Sequence, residues 1–173
     1  SLYKEVEQTY YNPHHYHQVT GGMYFRFPYG AYGKASSYHH MNSIKELSQE
    51  LYQDNCIQFV FWDIDTVDWL KDMTSQNVFE NVLAYLRGGT AYRHKKVSLN
   101  GKKKFVKQQF TIKNPIGGGV ILMHDIHQKS IIATQKILEF IKNNHSFEII
   151  SLPEIQEFSF NLNTFCNFYA KSK

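Results

Sequence analysis

Residues 116–127 read Ile-Gly-Gly-Gly-Val-Ile-Leu-Met-His-Asp-Ile-His, and no other stretch constrains the fold as much. Three glycines break the chain, four apolar residues follow (Val120, Ile121, Leu122, Met123), and the run stops at His124 and Asp125. A short apolar run after a glycine break, with a helical pattern behind it, predicts a buried strand feeding a helix. In α/β folds the side chains at such strand ends project from a rigid core into a cleft. A titratable His-Asp pair there is either a site or a cap on the next helix, and this stretch by itself does not choose between them.

The same construction occurs twice upstream. The run at 23–25 ends on Arg26-Phe27-Pro28-Tyr29-Gly30, and the run at 57–61 ends on Trp62-Asp63-Ile64-Asp65-Thr66-Val67-Asp68-Trp69. Pro28 fixes φ and Gly30 permits a tight turn, so Tyr29 is expected with its backbone N–H exposed. Helices lie between the runs. Ser43-Ile44-Lys45-Glu46 fits a capping box, with Ile44, Leu47 and Leu51 on one face behind it. A second helix is predicted at 75–87, with Val78, Val82 and Leu86 aligned and Gly88-Gly89 as its stop. A third is predicted at 129–143, with Ile131, Thr134, Leu138 and Ile141 inward and Asn143-Asn144 at its end. The strand at 56–62 is almost continuously apolar and is expected to be buried on both faces. A last strand is expected at 147–152, closed by Pro153. This alternation of strands and helices predicts a parallel α/β fold.

One segment departs from the alternation. Residues 93–107 hold seven Lys and Arg and no acid. The chain's formal charge is +4, so without these seven the rest is near −3 and the basicity is local. Asn100-Gly101 is a strong hairpin turn signal, and an inserted basic β-hairpin is predicted over 91–114.

The pentapeptides RFPYG and DTVDW and the tetrapeptide LMHD, in that order and each closing an apolar run, resemble the last three of five motifs of the polysaccharide deacetylases. That family, also called the NodB-homology domain or carbohydrate esterase family 4, carries R-x-P-Y-G, D-[ST]-x-D-W and L-x-H-D there. The resemblance covers roughly residues 20–152. It implies a distorted (β/α) barrel, incomplete in this chain. Residues 21–152 would form the C-terminal part of the domain, 1–20 an N-terminal segment and 153–173 a tail.

The resemblance also implies roles. His124 is the expected general acid, with Asp68 hydrogen-bonded to it and stabilising its protonated form. Arg26 is expected to hold the base Asp of the family's first motif, and the Tyr29 N–H to donate to the oxyanion. Trp69, Leu122, Tyr29 and Pro28 are expected to contact substrate, with Trp69 and Leu122 around the acetyl methyl. Asp63, Asp65, Asp125 and His127 are assigned to structure or to the rim.

The family's first two motifs, T-F-D-D and H-[ST]-x-x-H, supply its base and the three ligands of its divalent metal, usually zinc. Neither occurs in this sequence, so no metal ligand is expected here. The implied function is part of a metal-dependent deacetylase that hydrolyses N- or O-acetyl groups on a cell-envelope or extracellular glycan. Such an enzyme would be secreted, periplasmic or bound in the envelope. Its partners would be an acetylated polysaccharide and the N-terminal remainder of the domain, and the chain by itself would be inactive. The alternative is a non-catalytic glycan-binding relative lacking the metal half. A third reading makes the basic hairpin a nucleic-acid or anionic-polymer contact, and its few interleaved aromatics disfavour nucleic acid.

The remaining features exclude more than they suggest. His14, His15 and His17 have no acidic or Cys partner at ligand spacing and read as an exposed aromatic-rich segment. No apolar stretch approaches the roughly 18 residues of a membrane span. Two cysteines make no disulfide framework. Cys56 reads as a buried small hydrophobe, and a bridge to Cys166 is left open.

Overall fold

The computed structural model describes residues 23–52, 56–99 and 101–158. The segment 1–20 with its three histidines, the Leu51 side chain and most of the C-terminal tail lie outside this description. The described residues fall into two compact units, 23–60 with 151–158 and 61–150.

The first unit is a βαβ element. Strand β1 (Met23–Phe25) pairs in parallel with β2 (Ile57–Phe59), and helix α1 (His39–Tyr52) makes the crossover that parallel strands require. Phe27 is buried and stacks on Phe59 with ring centroids 5.4 Å apart, while Phe25 meets Phe27 edge-on. Helix α1 begins four residues before the expected capping box, so Ser43 lies inside it and its Oγ donates to the His39 carbonyl. The inward residue is also displaced by one. Ser48 is buried and accepts from the Cys56 N–H at 3.0 Å, whereas Leu47 is exposed. Cys56 is fully buried but disulfide-bonded, which corrects its reading as a plain hydrophobe. Its partner lies outside the described residues. The Tyr24 hydroxyl donates to the Phe158 carbonyl and ties 151–158 to β1.

The second unit holds β3 (Ile64–Asp65), α2 (Ser75–Arg87), the hairpin β4 (Gly89–Leu99) and β5 (Lys102–Ile112), β6 (Ile121–Leu122) and α3 (Gln128–Lys142). Thr74 caps α2 in a capping box with Asn77, and Gly88 at φ +85 ends it. Val78, Val82 and Leu86 are buried on its inner face as their spacing predicts. The hairpin has the predicted turn but starts two residues earlier, with Gly89 opposite Ile112 and Leu99 opposite Lys102.

Strands β3 and β6 pair in parallel, Ile64 opposite Ile121 and Asp65 opposite Leu122. Asp63 extends this pair, because its Oδ2 accepts the Val120 N–H at 2.8 Å. A Cβ on Gly119 would lie 2.7 Å from that oxygen, and its φ of +124 also favours glycine. The core packs Ile64, Val82, Leu83, Leu86 and Ile137 into one cluster and Val67, Leu70, Met73, Val78 and Ala133 into another, with Met123 against both.

Three expectations are corrected here. The inner face of α3 is Ser130, Ala133 and Ile137, while Ile131 and Leu138 are exposed. The apolar run at 56–62 makes a strand of only three residues, half-buried rather than covered on both sides. No strand forms at 147–152; Ile149 and Ile150 are exposed there, and a short 3-10 turn at Leu152–Glu154 follows. The fold is mixed α/β, but the described strands pair only in twos and close no barrel.

Candidate functional site

The polypeptide between β3 and α2 turns sharply because Val67 sits at φ +47, a left-handed conformation costly for a β-branched residue. The surroundings hold it there. The Val67 N–H donates to Asp65 Oδ1 at 2.9 Å, the Leu70 N–H donates back to the Val67 carbonyl at 3.0 Å, and the Val67 side chain is buried. Thr66 Oγ1 donates to the Leu122 carbonyl at 2.7 Å and fastens the ends of β3 and β6 together. Lys129, in the first turn of α3, donates to the Leu70 carbonyl.

This turn brings Asp68 to His124. Asp68 is 1% exposed and accepts three hydrogen bonds. The His124 Nδ1 lies 2.7 Å from Oδ1, the His124 backbone N–H donates to Oδ2 at 2.7 Å, and Ser130 Oγ donates to Oδ2 at 2.5 Å. The imidazole is over a third exposed. With Nδ1 committed to the carboxylate, proton exchange with solvent or substrate falls to Nε2. The geometry is a buried carboxylate orienting a half-exposed imidazole, which is the arrangement of an acid–base pair.

Burial pushes the Asp68 carboxyl up. The hydrogen bonds from Ser130, from the His124 N–H and from its ring, with the ring's charge, outweigh burial and hold the group below its ordinary value. A folded value below the unfolded one means that ionised Asp68 stabilises the fold. That contribution is present in full above the ordinary carboxylate range, about pH 4, and is lost as pH falls from there through the lower folded value. Urea unfolding is therefore expected to show a midpoint that drops below about pH 4 in the natural protein, and less so in Asp68→Asn.

The other expected residues divide between the two units. Leu122, in β6, is half-buried beside this pair of strands. Trp69 follows Asp68, and its ring packs edge-on against Phe105 at 5.6 Å and near His94 at 5.5 Å, so much of its surface is taken up by the hairpin. Arg26, Pro28 and Tyr29 belong to the first unit. Arg26 is exposed directly after β1. Tyr29 lies at φ +57 in the turn Pro28–Gly30, fully exposed, and its N–H donates to no acceptor among the described residues.

Asp63 and Asp65 spend their carboxylates on the Val120 and Val67 N–H groups, and Asp125 is exposed. His127 precedes α3 with its ring 6.3 Å from that of His124. Among the described residues no three His, Cys, Asp or Glu side chains come together as a metal would need.

Two residues of this site went unnoticed in the sequence. Ser130 lies one position from the face expected for α3, and nothing in the motifs marks it. Asn81 is fully buried on α2; its Nδ2 donates to the Asp65 and Tyr92 carbonyls at 3.0 Å each, and its Oδ1 accepts the Tyr92 N–H at 2.7 Å. A polar residue on an otherwise apolar helical stripe was the available signal. Among the described residues no helix is long and apolar enough to cross a membrane. Comparison with protein-family models, curated proteins and solved structures gave no match.

Proposed function

We propose that this chain carries the proton-donating part of a polysaccharide deacetylase acting on N- or O-acetyl groups of a cell-envelope or extracellular glycan. One observation supports the reading above the others. Asp68 and His124 stand 56 residues apart in the chain, in two of the three motifs that resemble the family, and they meet at 2.7 Å with the carboxylate buried.

Deacetylation ends when a tetrahedral intermediate collapses and its amine or alkoxide must take a proton. His124 delivers that proton from Nε2 while Asp68, ionised and held by Ser130, balances the imidazolium through Nδ1. For the first unit the resemblance implies separate roles, the Tyr29 N–H as a donor to an oxyanion and Arg26 as a partner of the base. The base and the divalent metal belong to motifs that this sequence does not contain.

The test uses the intact protein that carries this chain, incubated with N-acetylchitooligosaccharides, with peptidoglycan fragments and with acetylated xylan. Acetate release above the protein-free control is the expected result. Binding of these glycans with no acetate released overturns the enzymatic reading in favour of a glycan-binding relative.

A further inference from the structure

The hairpin carries a regular array of cations. Residues at i and i+2 of a strand share a face, and directly opposed residues share a level. On one face the successive pairs are Arg93 with Gln108, Lys95 with Val106, Val97 with Lys104, and Leu99 with Lys102. Each of four consecutive levels therefore holds one cation, spaced by two residues of strand, roughly 7 Å, over a ladder of roughly 20 Å. Arg93, Lys95, Lys102 and Lys104 are all exposed. The hairpin has no acid of its own, and among the described residues no carboxylate forms an ion pair with any of the four.

The opposite face packs on the body of its unit toward the root of the hairpin, while Lys96 and Lys103 nearer the tip are exposed. Lys107 Nζ donates to Asn77 and lies over Tyr92, the Tyr92 hydroxyl donates to Glu80, and His94 and Phe105 pack against Trp69. The ladder therefore stands on an element anchored to Trp69, the residue directly after Asp68. Like charges at this spacing repel one another, and of the four Arg93 also donates to Gln108 and lies over Phe110.

We propose that this face of the hairpin binds a linear acidic polysaccharide of the uronate-bearing kind. The proposal rests on the deacetylase reading only in making that polymer the substrate led to His124. The rungs stand roughly 7 Å apart, one cation to each, along the line that a linear anionic chain would follow. Half-buried Val106 and Val97, beside Lys95 and Lys104 on the two middle rungs, offer apolar surface to the C–H faces of sugars. Single-stranded nucleic acid needs open aromatic rings on which bases stack. Each of three hairpin rings has a cation over it, Arg93 over Phe110, Lys96 over Phe105 and Lys107 over Tyr92, and of the three only Phe105 is exposed.

The test is binding of the intact protein to polygalacturonate oligomers, to uncharged chitooligosaccharides and to single-stranded DNA of matched charge. Each is compared with the variant Lys95→Gln/Lys102→Gln/Lys104→Gln. All three positions are exposed, and circular dichroism with a thermal melt verifies that the variant is folded. Polygalacturonate binding is expected to weaken about tenfold or more between 50 and 200 mM salt, and the variant to lose most of both the affinity and the salt dependence. Equal polygalacturonate binding by the two proteins overturns the proposal, as does tighter binding of the DNA. These measurements need no turnover. Salt-dependent binding without acetate release would keep the ladder and discard the deacetylase, and acetate release indifferent to the three lysines would do the reverse.

Discussion

His124→Ala is expected to lower acetate release by the intact protein about 10³-fold while leaving its metal content unchanged. The ring is the part of the Asp68 cluster that reaches solvent, and Asp68 itself is too deeply buried to deliver a proton to a substrate. Alanine removes the ring but keeps the backbone N–H that donates to Asp68, and Ser130 remains in place, so the carboxylate keeps two of its three donors. The variant should therefore fold, and the loss should fall on kcat rather than on KM. Loss of metal in the same variant would mean that the imidazole is a ligand and not an acid.

Asp68→Asn separates orientation from charge. All three groups facing Asp68 are donors, so an amide must place its NH₂ against one of them. If its oxygen keeps the Ser130 hydroxyl and the His124 N–H, the NH₂ meets Nδ1 and forces the ring proton onto Nε2. That neutral tautomer can be read from the imidazole ¹⁵N shifts, and activity is expected to fall about as far as in His124→Ala. Full activity in Asp68→Asn would show that the contact is merely structural.

What could be read in advance followed from local signals. The helix at 75–87 emerged within its predicted limits because its apolar stripe and glycine stop lie close together in the sequence. The hairpin emerged because Asn-Gly sits between two runs of similar length. The Asp68–His124 pair was expected from the resemblance, since composition and periodicity say nothing about two residues 56 apart.

The errors share a cause. In α1 and α3 the inward position is a small polar residue, Ser48 or Ser130, whose hydroxyl serves a buried partner. A reading that looks for apolar faces assigns the neighbouring Leu47 or Ile131 instead. Residues 147–152 have the composition of a strand, but a strand needs a neighbouring edge, and no described residue pairs with them. Arg26 and Tyr29 were legible as a turn at a strand end, since Pro28 and Gly30 dictate it. The roles that the resemblance implies for them, toward a carboxylate and an oxyanion, are not properties of the turn.

Asn81→Leu is expected to destabilise the second unit by about 3 kcal/mol. The two side chains are similar in size, so the loss is not a cavity. It comes from the three backbone groups that Asn81 satisfies from a fully buried position: the Asp65 carbonyl, the Tyr92 carbonyl and the Tyr92 N–H. Leucine leaves all three without that partner, and a carbonyl or N–H stranded away from water costs more than an ordinary hydrogen bond contributes. Those groups belong to β3, three residues ahead of Asp68, and to β4, at the root of the hairpin. Asn81 thus joins the element that aims the carboxylate to the element that carries the cations. The urea midpoint should fall accordingly, and the Tyr92 amide should exchange with solvent far faster than its neighbours in α2. If the hairpin guides a polymer toward His124, Asn81→Leu should also weaken polygalacturonate binding at temperatures where the protein is still folded, although no cation has been touched. An unchanged urea midpoint would mean that β4 is held by the Tyr92–Glu80 contact and by Trp69 packing alone, and the hairpin would then be independent of the turn that builds the site.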